Sequence, residues 1–394
     1  MPQDGLTGGC APGQRPARLV GIFAAGRNGS TLLMRLLDGS PGLWIYPIEL
    51  NYLRTFAPNS LKGKIKRTVL ESASRLTGGP RGTLQERRLR VFHNWVTEQL
   101  RELEATYVEK LVHPIRVKTR PLQDMKDRVQ DTLAENLDLF LDGIRRNYDD
   151  RDLPSEPLLM FKSVEVLDLA RYQRLFPGMK FVHIVRHPYT NYACLKRTDM
   201  VLKQKPFWDH GGEGDILRLQ LESRWIPHVR FALHGLQSDS AHHHLVRYED
   251  LCQSPNETVS RICEWLGIEA PSEPTLQTVL GGKHLKVLPT NSSLKGIETP
   301  AHVVADMAQS YGYDEILTER ERSLIFLRTY ELGRRLGYFA QEEASLLPNR
   351  WQLFTQWILP DEWEYKNTRS KARLVSALIQ RRLYLCRKLL LSST

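Results

Sequence analysis

The sequence has few cysteines and no long apolar run, and both absences exclude classes of protein. Its five cysteines stand apart without a Cys-x-x-Cys pair: Cys10, Cys194, Cys252, Cys263 and Cys386. This spacing argues against a disulfide scaffold or a zinc site and favours a reducing cytoplasm. No run of about 18 apolar residues occurs, so no transmembrane helix is expected. Residues 1–16 have no apolar core, and we expect a disordered leader there instead of a secretory signal.

The charge is unbalanced toward basic residues. The chain of 394 residues carries 55 Lys and Arg against 45 Asp and Glu, a formal net charge of +10. A basic excess suits nucleic acid, an anionic membrane face or polyanionic small ligands. The length suits one large α/β domain with insertions, or two domains.

Short apolar runs alternate with segments of helical spacing. We predict strands at 18–24, 43–46, 158–161, 180–185 and 244–246, and helices at 32–38, 167–176, 190–197 and 254–266. This alternation predicts an α/β fold, with a P-loop-like parallel sheet covered by helices on both faces. We assign residues 17–340 to this domain. Within it, 51–155 is rich in Lys, Arg, Glu and Leu and is interpreted as a helical insertion.

Residues 341–394 differ in composition and form a predicted C-terminal helical extension. From Lys366 to Thr394 the chain has eight Lys or Arg and no acid, and three tryptophans stand upstream. Leu374, Val375, Leu378, Ile379, Leu385 and Leu389 fall roughly on one helical face, although Arg382 interrupts it. An interfacial helix on the cytoplasmic face of a membrane and a helix packed on the domain both fit this pattern.

The loop after the first predicted strand has the composition of an anion site. Strand, then Gly26-Arg27-Asn28-Gly29-Ser30-Thr31, then helix is an arrangement that binds phosphate or sulfate. Glycines allow close backbone approach, and the helix start offers N–H groups and a favourable dipole. Ser30 and Thr31 add hydroxyls, and Arg27 adds a cation. The same sequence would also fit an ordinary glycine-containing turn between a strand and a helix.

The loop is not a Walker A motif. That motif needs GxxxxGK[ST], in which the Lys reaches the β- and γ-phosphates. Counted from Gly21, Arg27 and Asn28 occupy the Lys and Ser/Thr places. A P-loop nucleotide kinase stays open as an alternative function, with a requirement for Mg²⁺ as the discriminating property.

A second cation follows the strand at 180–185. Arg186 stands directly after this strand, at the sheet edge where open α/β sheets bind ligands. Taken alone, this Arg is better explained as a residue that caps the strand end or pairs with a carboxylate.

Together the two segments resemble the nucleotide-binding motifs of sulfotransferases. The family's first loop has the type GxxRSGTTLL, and AAGRNGSTLL stands here at 24–33. Its second motif has Arg-x-Pro after a strand and a Ser eight residues after the Arg; here Arg186, Pro188 and Cys194 hold those places. SPGLWIYPIELNYL and RYEDLCQSPNETVSRICEWLGI are similar to two further family segments. The resemblance spans roughly 17–340 and is closest to the bacterial carbohydrate and tyrosylprotein-like branch.

The resemblance implies a donor, 3′-phosphoadenosine-5′-phosphosulfate, used without a metal. It implies that Gly26, Asn28, Gly29, Ser30 and Thr31 cradle the 5′-phosphosulfate. Arg27 would stabilise the transferred group, and Glu49 would act as general base. The other implied roles are a sulfate contact for Lys162, a 3′-phosphate site at Arg186 and Cys194, and a closing loop at Ser292 and Ser293. Cys194 departs from the family Ser and is a weaker donor.

The acceptor is expected to bear a hydroxyl, with a saccharide or glycolipid preferred and peptide tyrosine as the alternative. The competing non-enzymatic hypothesis is a basic protein bound to a membrane or nucleic acid. No recognition module of a nucleic-acid binder is found, so no nucleic-acid partner is expected. His187 and the run 242–244 invite a metal site, but packed or solvated histidines are the favoured interpretation.

Overall fold

The computed structural model describes residues 18–50, 133–148, 153–197, 220–272 and 316–358, with a few short segments besides. Predictions for the leader 1–16, for most of the insertion 51–155, for Ser292 and Ser293, and for most of the chain after 358 lie outside the described residues. The proposed domain boundaries therefore stay predictions.

A five-stranded parallel sheet forms the centre of the fold, as predicted. Its strand order is β2-β3-β1-β4-β5, with β1 in the middle. Almost every strand side chain is buried, as expected for a sheet covered on both faces. The strands are β1 (Leu19–Ala24), β2 (Leu43–Glu49), β3 (Leu158–Ser163), β4 (Lys180–Val185) and β5 (His243–Arg247). A separate pair, β6 (Thr278–Val279) and β7 (Lys283–His284), is antiparallel.

Helices cover the sheet on both sides. Successive side chains of a strand point to opposite faces of the sheet. Phe23 of β1 therefore lies in the apolar cluster on one face and Ile22 in the cluster on the other. The helices are α1 (Ser30–Leu37), α2 (Leu133–Tyr148), α3 (Leu169–Leu175), α4 (Pro188–Arg197), α5 (Ile226–Ser238), α6 (Tyr248–Gln253), α7 (Pro255–Leu266), α8 (Glu319–Arg335) and α9 (Arg350–Trp357). Cluster residues of α2 and α3 lie on the side of Phe23, and those of α1 and α7 lie on the side of Ile22.

Strand β2 is longer than predicted, and the difference matters for the site. The prediction ended it at residue 46 because Pro47 follows. The strand instead continues to Glu49, with a register irregularity between Ile45 and Glu49. A proline is tolerated there because β2 is an edge strand and pairs with a neighbour on one side only. The missing N–H of Pro47 therefore leaves no carbonyl of a neighbouring strand without its hydrogen bond. The continuation pairs Glu49 with Lys162 of β3.

Candidate active site

The loop between β1 and α1 has a backbone suited to an anion. Gly26, Arg27 and Gly29 have φ angles of 77°, 57° and 89°, all left-handed. Such conformations turn successive N–H groups toward a common point and form a concave anion-binding nest. Glycine adopts them freely, whereas an L side chain costs energy there. Within the described ranges Arg27 alone combines a side chain with a positive φ, and backbone strain of this kind concentrates at functional sites.

The N-terminus of α1 also favours a negatively charged ligand. Gly29 is the N-cap, no side chain in the described part of the chain caps the helix, and its first turn contains no acidic residue. The N-terminal N–H groups of a helix and its dipole attract negative charge. Ser30 and Thr31, the first residues of the helix, therefore lie where the sequence predicted an anion cradle.

A network of buried amide side chains holds the loop in this shape. The Asn28 amide donates to the Ile184 carbonyl at 3.0 Å and accepts from the Asn191 amide. Asn191 also donates to the Gly26 carbonyl at 2.8 Å. Gln220 donates to Asn191 at 2.8 Å and to the Ala25 carbonyl at 3.0 Å. The side chain of Asn28, a residue predicted to bind the cofactor, thus supports the shape of the loop.

Three charged side chains and the Thr31 hydroxyl converge at the carboxyl ends of β1, β2 and β3. The Lys162 ammonium donates to the Thr31 hydroxyl at 3.1 Å and lies 3.8 Å from a Glu49 carboxylate oxygen. Burial lowers the pKa of Lys162, Glu49 raises it, and the nearby cations Arg35 and Arg27 lower it further. The sequence-predicted residues Arg27, Thr31, Glu49 and Lys162 are therefore brought together.

Arg186 lies on the other side of the loop, at the end of β4. Its guanidinium donates to the Thr190 hydroxyl at 3.1 Å and to the Arg27 carbonyl at 3.5 Å. It also stacks on the Tyr248 ring, 4.2 Å from the ring centroid. The Trp225 indole N–H donates to the Arg186 carbonyl at 2.9 Å. This buried cation is fixed in place beside the anion loop.

Tyr248 contacts both the loop and Arg186, and in the sequence analysis it was assigned no role beyond membership of the RYED segment. A Cβ on Gly29 would collide with the Tyr248 ring, so this ring needs glycine beneath it. Burial raises the pKa of Tyr248, Arg186 lowers it, and the interactions with Cys252 and Cys194 raise it. Half-buried Cys194 thus interacts with Tyr248, the ring on which Arg186 stacks.

Arg224 is a further cation at the loop that sequence reasoning missed. It sits in a π-helical turn, Leu221–Trp225, directly before α5. A Cβ on Gly26 would lie 3.8 Å from the Arg224 guanidinium, which also donates to the Gln220 side chain at 3.4 Å. Turns of this kind occur often at functional sites, and apolar periodicity does not reveal them.

Of the histidines considered as metal ligands, His243 is buried, His187 and His244 are half-buried, and His242 is partly exposed and contacts Asp239. His183 lies between His228 and His243, with ring nitrogens 3.3 Å and 3.0 Å apart. Burial lowers the pKa of His228 to about 3 and that of His187 to about 4. In the described ranges no group of three or more His, Cys, Asp or Glu is arranged to hold a metal ion. No helix in those ranges is long and apolar enough to cross a membrane.

The fold and the site define an α/β protein with a loop whose backbone is shaped for an anion and with a cluster of cations at the carboxyl edge of its sheet. A family model described as "Sulfotransferase family" matches residues 20–272, which is more than half of the chain. The chain therefore belongs to the sulfotransferase family, whose reaction is the transfer of a sulfuryl group. No curated protein matches the chain.

The solved structures that match this chain include sulfotransferase domains. The domain from the Synechococcus PCC 7002 olefin synthase is 20% identical, with a TM-score of 0.46, covering 84% of this chain and 98% of that one. The domain from the curacin biosynthetic pathway is also 20% identical, with a TM-score of 0.46 and coverages of 81% and 97%. The Alicyclobacillus acidocaldarius sulfotransferase is 15% identical, with a TM-score of 0.38 and coverages of 68% and 86%. No substrate carries over at this level of similarity.

Proposed function

We propose that the protein transfers a sulfuryl group from 3′-phosphoadenosine-5′-phosphosulfate to a hydroxyl of a saccharide or glycolipid. The supporting observation is the meeting of Arg27, Thr31, Lys162 and Glu49 beside a loop shaped for an anion. This places a carboxylate and several cations together, as proton removal and transfer of a negatively charged group both require.

The charge of the site fits this donor. Arg27, Lys162, Arg186 and Arg224 lie in or beside the loop, Arg35 lies close enough to Lys162 to lower its pKa, and Glu49 contributes a carboxylate. The donor supplies an activated sulfuryl group and carries phosphates at two ends. The loop and α1 would hold its 5′ end through Gly26, Gly29, Ser30 and Thr31. Arg186 with Cys194 would hold the 3′-phosphate, and by resemblance Ser292 and Ser293 would close over the donor.

The residues around Glu49 divide the chemical work. Glu49 would accept the proton of the acceptor hydroxyl, and its side chain is 38% exposed, so an acceptor can reach it. Arg27 and Lys162 would stabilise negative charge on the transferred group and on the leaving phosphate oxygen. A sulfuryl group carries less charge than a phosphoryl group, so these cations and the loop N–H groups suffice without Mg²⁺ in the proposed mechanism.

Binding of the product nucleotide tests the donor directly. We expect 3′-phosphoadenosine-5′-phosphate to raise the melting temperature in the presence of EDTA, because a ligand that binds only the folded state stabilises it by mass action. Differential scanning fluorimetry against adenosine 5′-phosphate, which lacks the 3′-phosphate, measures the contribution of the Arg186 site. If ATP with Mg²⁺ stabilises the protein and the bisphosphate does not, a nucleotide kinase is the better assignment.

Arg224 should contribute to the same affinity. Arg224→Gln is expected to weaken bisphosphate binding roughly tenfold, the scale of one lost charge-assisted hydrogen bond. Arg261→Gln is the matched control, because Arg261 is exposed on α7 and pairs with Glu257. Isothermal titration calorimetry at two salt concentrations measures both. Equal affinity of the two variants would remove Arg224 from the donor site.

The acceptor class rests on the family branch that the motifs resemble and on the basic, tryptophan-bearing extension. Transfer of radioactive sulfur from the labelled donor to fractionated cell extracts would identify the product. Label in a glycolipid or saccharide fraction supports the proposal, whereas label in tyrosine-containing peptides would overturn the acceptor class and retain sulfuryl transfer.

A further inference from the structure

Exposed apolar side chains are concentrated in the C-terminal extension. Among the described residues seven large hydrophobic side chains are exposed, and six of them follow residue 345: Leu346, Leu347, Trp351, Val375, Ile379 and Leu383. The seventh, Leu167, stands alone near α3. Scattered exposed leucines are ordinary, but a concentration of this kind marks a site of interaction.

The first half of this group, Leu346, Leu347 and Trp351, lies in or beside α9, which is packed against the domain. Helix α9 buries Leu353 and Trp357 against the domain and presents Trp351 on its outer side, 60% exposed. Trp351 stacks on Phe354 with ring centroids 5.4 Å apart, and the Arg320 guanidinium lies 4.5 Å from the Trp357 ring centroid. The exposed tryptophan is therefore held outward by a helix whose opposite face is anchored.

The second half consists of three helical residues, Val375, Ile379 and Leu383. Val375, Ile379 and Leu383 are spaced four residues apart, which places them on one face, and each is more than half exposed. The sequence had predicted a face that included Leu378, which is half-buried. Arg382, predicted to interrupt the face, instead donates to the carbonyl of Ile358 at 3.2 Å. That contact joins these residues to the end of the segment that carries Trp351.

The charge around these residues indicates what covers them. From Lys366 to Thr394 the chain has eight basic residues and no acidic residue. Two copies of such a segment would repel each other, and a nucleic acid would leave the leucines and the tryptophan in water. An anionic lipid surface accommodates both properties, since basic residues bind its headgroups and apolar and aromatic side chains enter its interface.

We propose that Leu346, Leu347, Trp351, Val375, Ile379 and Leu383 form a docking surface for an anionic lipid leaflet, with Arg382 and Arg387 beside them. The contact is peripheral, because the three helical residues lie on one face. This proposal does not depend on the donor or acceptor assigned above. It would hold the domain at a lipid surface, close to lipid-linked molecules.

Co-sedimentation of the full-length protein with vesicles tests the docking surface. Vesicles of phosphatidylcholine alone are compared with vesicles that also contain phosphatidylglycerol, at physiological salt. We expect binding only to the anionic vesicles. A variant with Arg381, Arg387 and Lys388 all changed to Gln should lose affinity on the order of a hundredfold, because each cation near an anionic leaflet contributes about 1 kcal/mol.

Apolar variants separate lipid insertion from charge attraction alone. Leu346→Asn with Trp351→Ser should weaken binding to anionic vesicles roughly tenfold or more, because two large side chains no longer leave water. Leu167→Asn is the matched control, since this leucine is equally exposed outside the docking surface. Unchanged melting temperatures confirm that the variants are folded.

Three results would overturn the proposal. These are equal binding to neutral and anionic vesicles, equal binding of wild type and the double apolar variant, and self-association in place of vesicle binding. In each case bisphosphate binding, measured separately, would still report on the proposed sulfuryl transfer.

Discussion

Replacing Glu49 with glutamine is expected to lower turnover by roughly 10² to 10⁴ and to leave bisphosphate binding nearly unchanged. Glutamine keeps the shape of the side chain but cannot take a proton from the acceptor hydroxyl. It also keeps an oxygen near Lys162, whose ammonium lies 3.8 Å from the native carboxylate. Single-turnover transfer of labelled sulfate, with calorimetric titration of the bisphosphate, separates chemistry from binding.

The control for charge is Glu264→Gln, because Glu264 is exposed on α7 and lies outside the proposed site. Arg27→Ala should also lose turnover, since the cation that stabilises the transferred group is gone. Near wild-type turnover of Glu49→Gln would exclude Glu49 as the base. The family assignment would stand in that case, because it does not depend on this residue.

Replacing Lys196 with methionine should destabilise the fold by about 3 to 5 kcal/mol, the usual cost of breaking a buried ion pair. Its ammonium donates to both oxygens of Glu321, at 3.1 Å and 2.9 Å, and the two side chains are 5% and 0% exposed. Glu321 also accepts from the Thr318 N–H at the start of α8. Without Lys196 its carboxylate stays buried without the charge that balances it.

Chemical denaturation of the single variant and of Lys196→Met with Glu321→Gln measures this effect. The double variant should recover much of the lost stability, because no buried charge then lacks its counter-charge. The pair also ties α4 to α8, and α4 carries Thr190 and Cys194 near Arg186. Bisphosphate affinity should therefore fall in the single variant as well. A single variant as stable as wild type would show that the pair contributes nothing.

The sheet and the anion loop could be predicted from local sequence. Runs such as KFVHIV are short, apolar and β-branched, and residues 180–185 form β4 as expected. Gly267 is the C-cap of α7 with a φ of 77°, a conformation for which glycine is the usual local signal. The parallel order then brings the strand ends together, so Arg27, Lys162 and Arg186 meet at one edge of the sheet. Each of these inferences used only neighbouring residues and a general rule of topology.

The supporting contacts could not be predicted because they join distant parts of the chain. Asn28 and Asn191 are far apart in sequence, and nothing local pairs them. Helix α8 was missed because charged residues dominate its surface, although its capping box of Thr318 and Glu321 was present as a signal. The π-helical turn that delivers Arg224 adds one residue per turn, and a period of 3.6 cannot reveal it.

The left-handed backbone at Arg27 lowers the stability of the fold, although the side chain at this position is proposed to be needed for activity. Selection for heat resistance and selection for activity would therefore favour different residues at position 27. An L residue in this conformation costs about 1 to 2 kcal/mol, and glycine would not. A library screened only for thermal tolerance should therefore accumulate glycine at position 27, and the proposed cation would disappear without any sign of misfolding. Variants selected in this way would be well folded but inactive. An engineering programme should therefore keep Arg27 unchanged from the first round.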